Sequence, residues 1–165
     1  MNLTTTMLLL LFGLGAGQAQ AGACAVSSSG LAFGPYQPLT FPGKLASAAT
    51  TSDARVDIVC TGIVAGGAYT VALGPASAGG GNRISVRYLS GDAGGDDMAF
   101  NVYLDPAHTQ VWGDGIIAGS LMSGTIPPGN SNQSHTVYGR IQAGQSTLRA
   151  GSYSGWLTMT VSYNP

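Results

Sequence analysis

Few residues of this chain have the type and spacing that chemistry requires. Gly151, Ser152, Tyr153, Ser154 and Gly155 have the outline of a nucleophile elbow, but that motif needs serine at its centre, where Tyr153 stands. His108 and His135 fall in a loop and at the start of a strand-like run, and read as surface residues rather than general bases. Asp92, Asp96 and Asp97 lack the alternating acidic spacing and the closing glutamate of a calcium loop, and read as a solvated turn. Gly79, Gly80 and Gly81 precede neither a Lys-Ser/Thr pair nor a helix, so no phosphate cradle is expected. Asn132, Gln133 and Ser134 match a glycosylation sequon, a three-residue pattern that arises readily by chance. No catalytic residue, cofactor or metal site is expected, and the chain is not read as an enzyme.

The two cysteines, Cys24 and Cys60, carry the one chemical expectation. Two thiols cannot build a zinc site, and neither histidine lies near them at ligand spacing. Residues 1–21 read as a signal peptide: Met7 to Leu14 is an apolar run, and Ala19, Gln20 and Ala21 form an A-x-A cleavage signal. Its first residues lack Lys and Arg, and the run is too short for a permanent span. The mature domain is therefore placed at 22–165, outside the cytoplasm, where an even cysteine count suggests one disulfide, Cys24–Cys60. Lipidation of Cys24 is the weaker alternative, because Ala21, Gly22 and Ala23 lack the bulky apolar residue of such sites.

The elements that must position these residues are strands. Of 165 residues only 8% are charged, the net charge is −1, and there is one lysine and no glutamate. A nucleic-acid binder would show a basic patch, and there is none. Twenty-six glycines favour short strands and tight turns, while 44% hydrophobic residues in alternating runs argue against low-complexity disorder. Strands are expected at Leu31–Tyr36, Arg55–Cys60, Ala68–Leu73, Arg83–Leu89, Met98–Leu104, Leu121–Ile126, His135–Ile141 and Trp156–Tyr163, with Val111–Trp112 before a Gly113-Asp114-Gly115 turn. Loops are expected at Gln37–Gly43, Gly74–Asn82, Ser90–Asp97 and Pro127–Ser134.

Alternation also assigns faces. Val56, Ile58 and Cys60 share one, as do Tyr69, Val71 and Leu73, and Met98 to Leu104 alternates again through Met98, Phe100, Val102 and Leu104. Arg83–Leu89 reads as the most two-faced strand, with Ile84, Val86 and Tyr88 on one side and Arg83, Ser85 and Arg87 on the other. In the last strand Leu157, Met159, Val161 and Tyr163 oppose Thr158, Thr160 and Ser162. Trp112 is expected to plug the core. Trp156 lies on the hydroxyl face, exposed or against a partner. The expected class is all-β, a sandwich.

Several pieces in order resemble the spore coat protein U domain, the subunit family of archaic chaperone–usher pili. They are Cys24 with Leu31 to Tyr36, Val59-Cys60, Tyr69 through Leu73, Phe100 to Asp105, Val111 to Gly115, Tyr138 to Gln145, and Gly151 to Tyr153 with the final strand. The resemblance covers almost the whole mature chain. It implies an immunoglobulin-like sandwich lacking its final strand, exported to the periplasm. There a chaperone lends a strand, an outer-membrane usher receives the subunit, and another pilus subunit then fills the groove. Leu157, Met159, Val161 and Tyr163 would border that acceptor groove at the chain's end.

Two departures from the family stand out. With cleavage after Ala21 only Gly22 and Ala23 precede Cys24, and even Gly17 to Ala23 holds no large apolar side chain. The expectation is a subunit that accepts a strand without donating one, at the tip of a surface pilus or spore-coat fibre. Gly155 stands where the family's closing strand usually has an acidic residue. The competing reading is a free-standing exported adhesin or binding module, using loops such as Ser90–Asp97 or Pro127–Ser134.

Overall fold

Alternation drives most of the chain into two sheets. The computed structural model describes residues 22–42, 46–81, 83–92 and 94–164; the leader assignment, 1–21, lies outside them. The strands are β1 (Ala23–Ser28), β2 (Thr50–Ile63), β3 (Gly67–Ala76), β4 (Arg87–Gly91), β5 (Asp97–Tyr103), β6 (Met122–Ile126), β7 (Gly129–Ile141), β8 (Tyr153–Ser154) and β9 (Leu157–Asn164). One sheet has the order β1-β2-β7-β5-β4-β8, the other β6-β3-β9, and every pairing is antiparallel. The fold is an all-β sandwich.

Its core is the set of inward faces that alternation assigned. Val56, Ile58 and Cys60 of β2, Tyr69, Val71 and Leu73 of β3, and Met98, Phe100 and Val102 of β5 are all buried. Trp112 plugs the space between the sheets and is 1% exposed. Its indole Nε1 donates to the Val71 carbonyl at 2.8 Å, and its backbone N–H to the Val102 carbonyl at 2.9 Å, so it touches a strand of each sheet. A buried indole N–H needs such an acceptor.

Cys24 and Cys60 stand directly opposite each other in the β1–β2 ladder and are joined by a disulfide. The bond closes a sequence separation of 36 residues, which stabilises by about 4 kcal/mol through the entropy removed from the unfolded chain.

Several element boundaries differ from expectation. Leu31–Tyr36 is not a strand: Gly30 (φ 79°) and Gly34 (φ 69°) are left-handed and Pro35 lacks an N–H, so the segment cannot hold a ladder. The first strand is β1, ahead of it. Leu31 and Phe33 still point inward, because Gly139 on β7 leaves them room; a Cβ there would lie 2.7 Å from Phe33 and 2.8 Å from Leu31. The polar stretch Pro127–Ser134 is no loop beyond Gly129. It opens β7, because the long β2 offers it a backbone ladder through Ser131 opposite Cys60 and Gln133 opposite Ile58. Ser90 and Gly91 belong to β4 and Asp97 to β5, which leaves a tight turn between them. The segment expected as loop from Gly74 likewise begins inside β3.

The largest correction is at Arg83–Leu89. Ordered pairing starts only at Arg87, and the buried residues are Ile84 and Arg87, at 1% and 0% exposure, whereas Val86 is 43% exposed. The spacing of three residues between them is not a strand's period.

Candidate functional site: an open groove beside the last strand

β9 pairs with β3 along one side and has no described strand along the other. In that pairing Tyr163 is opposite Tyr69, Val161 opposite Val71, and Met159 opposite Leu73. The two members of each row share a sheet and a face, so equal cover would bury them equally. They are not equal. Tyr69, Val71 and Leu73 are 2%, 0% and 2% exposed, while Tyr163 is 38% exposed and Leu157, Met159 and Val161 are half-buried. The inner layer that covers β3 stops short of β9.

A groove of about 1040 Å³ fills that gap at the Leu157 and Met159 end. Leu157 and Met159 form one bank, and Leu31, Phe33 and Tyr36 of the irregular segment form the other. Leu73, Met98, Phe100, Val102, Trp112 and Ile141 lie beneath. Val161 and Tyr163 do not line it; the exposed Tyr163 hydroxyl donates to the Gly22 carbonyl at 3.2 Å, beside the start of β1. Trp156 stands at the rim and is 77% exposed.

The irregular bank is held by polar contacts. The Tyr36 hydroxyl donates to the Gln142 carbonyl at 2.6 Å and accepts the Gln145 N–H at 3.2 Å. Gln145 in turn uses its side-chain amide as a mock strand, accepting the Ala99 N–H at 2.7 Å and donating to the Ala99 carbonyl at 2.9 Å. The Ala32 N–H donates to Ser52 Oγ at 3.0 Å. Phe33 meets Phe100 edge to face, with centroids 6.0 Å apart.

Arg87 anchors the groove from behind. Its guanidinium donates to the carbonyls of Gly74 (2.9 Å), Leu73 (2.8 Å) and Trp112 (2.9 Å) and to Asn101 Oδ1 (2.6 Å). Asn101, also buried, donates to the Ile84 and Ser85 carbonyls at 3.1 and 2.7 Å. Burial lowers the Arg87 pKa to about 10, opposed by the charge of Asp114, so the group remains a cation at neutral pH. Asp114 is itself held below the usual carboxylate range, chiefly by the Ile116 N–H, which it accepts with those of Ile117 and Ala118.

Sequence reasoning missed Arg87, Asn101, Tyr36 and Gln145. For Arg87 one signal existed: Gly74 and Pro75 interrupt an apolar strand, which marks a bulge whose carbonyls need donors.

The other chemistry-bearing residues are dispersed. His135 Nε2 meets the Tyr69 hydroxyl at 2.5 Å, and burial raises the Tyr69 pKa. His108 sits in a turn at φ 57°, edge-on to Tyr103. Asp96 accepts the Arg149 N–H at 2.9 Å in the β4–β5 turn region. The Tyr153 hydroxyl donates to the Arg149 carbonyl at 2.8 Å. Ser134 donates to Asp57 on the exposed sheet face, which with Arg55 holds the Asp57 pKa down. Among the described residues no group of three His, Cys, Asp or Glu could hold a metal ion.

The Spore Coat Protein U domain matches residues 11–160. The chain belongs to that family. A comparison with the curated proteins found no match. Membership in the Spore Coat Protein U family supports a structural, fimbrial-type subunit rather than an enzyme, of the kind that is exported and assembles with other subunits into a surface fibre.

Proposed function

We propose that this chain is an acceptor subunit of a chaperone–usher fibre, completed by a strand from another protein laid beside β9. The observation that carries this reading is the unequal burial of paired residues in one sheet: Val71 is sealed and Val161 opposite it is not. A strand added to the free edge of β9 would bring main-chain hydrogen bonds, and its alternate side chains would cover Leu157, Met159, Val161 and Tyr163. Four or five such side chains, at about 1.5–3 kcal/mol each, give on the order of 6–15 kcal/mol before ordering costs. Left open, an uncharged edge such as Leu157–Asn164 invites aggregation, which is the physical reason for a chaperone to lend a strand in the periplasm before an outer-membrane usher receives the subunit.

Residues 1–21 serve in this reading as the export signal, with the functional domain at 22–165. The segment directly before Cys24, Gly17 to Ala23, holds only Gly, Ala and Gln and could not fill a groove of this kind. The subunit therefore accepts without donating and takes a terminal position, at the tip of a pilus or at the end of a spore-coat fibre.

The deciding experiment expresses residues 22–165 alone, with the cognate chaperone, and with a synthetic alternating peptide. The expected result is a chain that folds alone with low stability, aggregates and is cut by protease, and that becomes a stable, protease-resistant monomer when a strand is supplied. A protease-resistant, aggregation-free monomer whose stability is the same with and without an added strand would overturn the acceptor reading. A cross-link from residues 17–23 into a neighbouring subunit's groove would overturn the terminal position alone.

A further inference from the structure

The β3–β9 ladder slips beside the groove. Leu73 is opposite Met159, but the next pair is Ala76 with Leu157, so three residues of β3 span two of β9. The extra residue lies at Gly74 and Pro75, and proline has no N–H to give to a ladder. A bulge of this kind bends its strand and disturbs the local ladder. Here it does so where Leu157 and Met159 form the groove's bank.

The carbonyls of Leu73 and Gly74, at the slip, both accept from Arg87, as does the carbonyl of Trp112. Leu73 and Trp112 line the groove and Arg87 does not. Among the described residues no carboxylate lies within ion-pairing distance of the guanidinium. A buried cation without a direct ion pair is costly to keep, even with the charge of Asp114 acting on it from farther off. The fold retains it for what a guanidinium does uniquely, which is to direct several N–H donors in a fixed fork at separate acceptors. Lysine, a point charge on a flexible stem, could not hold three carbonyls and an amide oxygen at set angles.

We propose that Arg87 is the positioning residue of the acceptor groove: by fixing the β3 bulge and the Trp112 segment together, it keeps the Leu157–Met159 bank splayed for an incoming strand. The inference rests on the acceptor reading and assigns that site a determinant outside its lining. Removal of the fork lets the bulge relax, and the far end of the added strand loses its seat while the Val161–Tyr163 end keeps its own.

The test refolds residues 22–165 and the Arg87→Lys variant, each with and without a peptide of about ten residues alternating valine and threonine, enough to span the 8 residues of β9. Amide hydrogen exchange is then read along β9. In the natural chain the peptide should slow exchange from Leu157 to Asn164. In Arg87→Lys the slowing at Leu157–Met159 should fall by about tenfold while that at Val161–Tyr163 persists, since a fixed fork is replaced by a point charge. Equal protection along β9 in both chains overturns the proposal and leaves the acceptor reading standing. Uniform loss over β2, β3, β5 and β9 in the variant also overturns it, because a merely structural role predicts that pattern. No protection of β9 in the natural chain sinks the acceptor reading itself, and the proposal with it. If the variant does not fold, exchange of the Arg87 guanidinium protons in the natural chain decides: slowing by the peptide supports the proposal, and indifference to it overturns it.

Discussion

Arg83–Leu89 and Trp156–Tyr163 are the same kind of object as sequence, each alternating apolar with polar residues. As structure they are opposites. In the first, the charged Arg87 is sealed at 0% exposure and the apolar Val86 is 43% exposed. In the second the faces fall where alternation puts them, yet the apolar one is only half covered. Alternation reports which side chains share a face. It does not report whether anything lies over that face, nor whether nearby backbone needs a donor more than the core needs a hydrocarbon. Both failures occur beside the same groove, one behind it and one along its bank.

The sharpest way to break this contrast is at Arg87. Arg87→Met keeps the length and apolar stem while stranding the Arg87-bonded carbonyls of Leu73, Gly74 and Trp112 and leaving Asn101 Oδ1 with the Val102 N–H alone. A buried acceptor left alone costs about 1–3 kcal/mol, so urea unfolding of the chain should show a loss on the order of 4 kcal/mol or more. A variant as stable as the natural chain would mean that the guanidinium is dispensable to the fold. By contrast Arg83→Met, at the exposed start of the same stretch, should shift stability by less than about 0.5 kcal/mol.

The next largest effect compares two partners in one row. Leu73→Ala removes a sealed side chain and should cost about 2–5 kcal/mol, whereas Met159→Ala, opposite it on the half-open strand, should cost about 1 kcal/mol in the free chain. Supplying a strand should raise the Met159→Ala cost toward that of Leu73→Ala, because the residue then has cover to lose. Denaturant midpoints with and without the alternating peptide measure this directly. Equal costs in the free chain would show that β9 is already covered.

How far the sequence was legible follows from the same physics. The inward faces of β2, β3 and β5 could be read because each is buried by its own hydrocarbon and paired on both sides, so pattern and cover coincide. Cys24 and Cys60 could be paired because only two thiols exist. The polar opening of β7, Gly129 to Ser134, could not, since it has no apolar alternation and its ladder with β2 is held by backbone and by exposed polar pairs such as Ser134 with Asp57. Leu31–Tyr36 kept an inward-facing Leu31 and Phe33 but not a strand, because two left-handed glycines break the ladder without moving those side chains off the core. The groove was visible only as the family resemblance implied it. Alternation in Leu157–Tyr163 is the same whether or not a neighbour lies over it.

The smallest effect concerns the charge nearest in influence to Arg87. Asp114 favours the Arg87 cation across the intervening protein, and its own pKa is lowered, first by the Ile116 N–H. A carboxyl whose folded pKa is depressed contributes stability that is fully present above its unfolded value and is lost as pH falls through the folded one. Stability should therefore be flat from neutral pH down to about the ordinary aspartate value, near 4, and should fall below it. Asp105, whose pKa is lowered chiefly by the Gln110 N–H, and Asp57, lowered chiefly by Ser134, act with the same sign and add to the slope. Asp114→Asn retains the acceptor oxygen for the turn and removes the charge, so the chain should lose at neutral pH the stability that the carboxylate contributes, and its acid-side slope should become shallower. Thermal midpoints at a series of pH values test this. A slope unchanged by the substitution would mean that the N–H groups of Ile116, Ile117 and Ala118 do not hold the Asp114 carboxylate ionised in the folded chain.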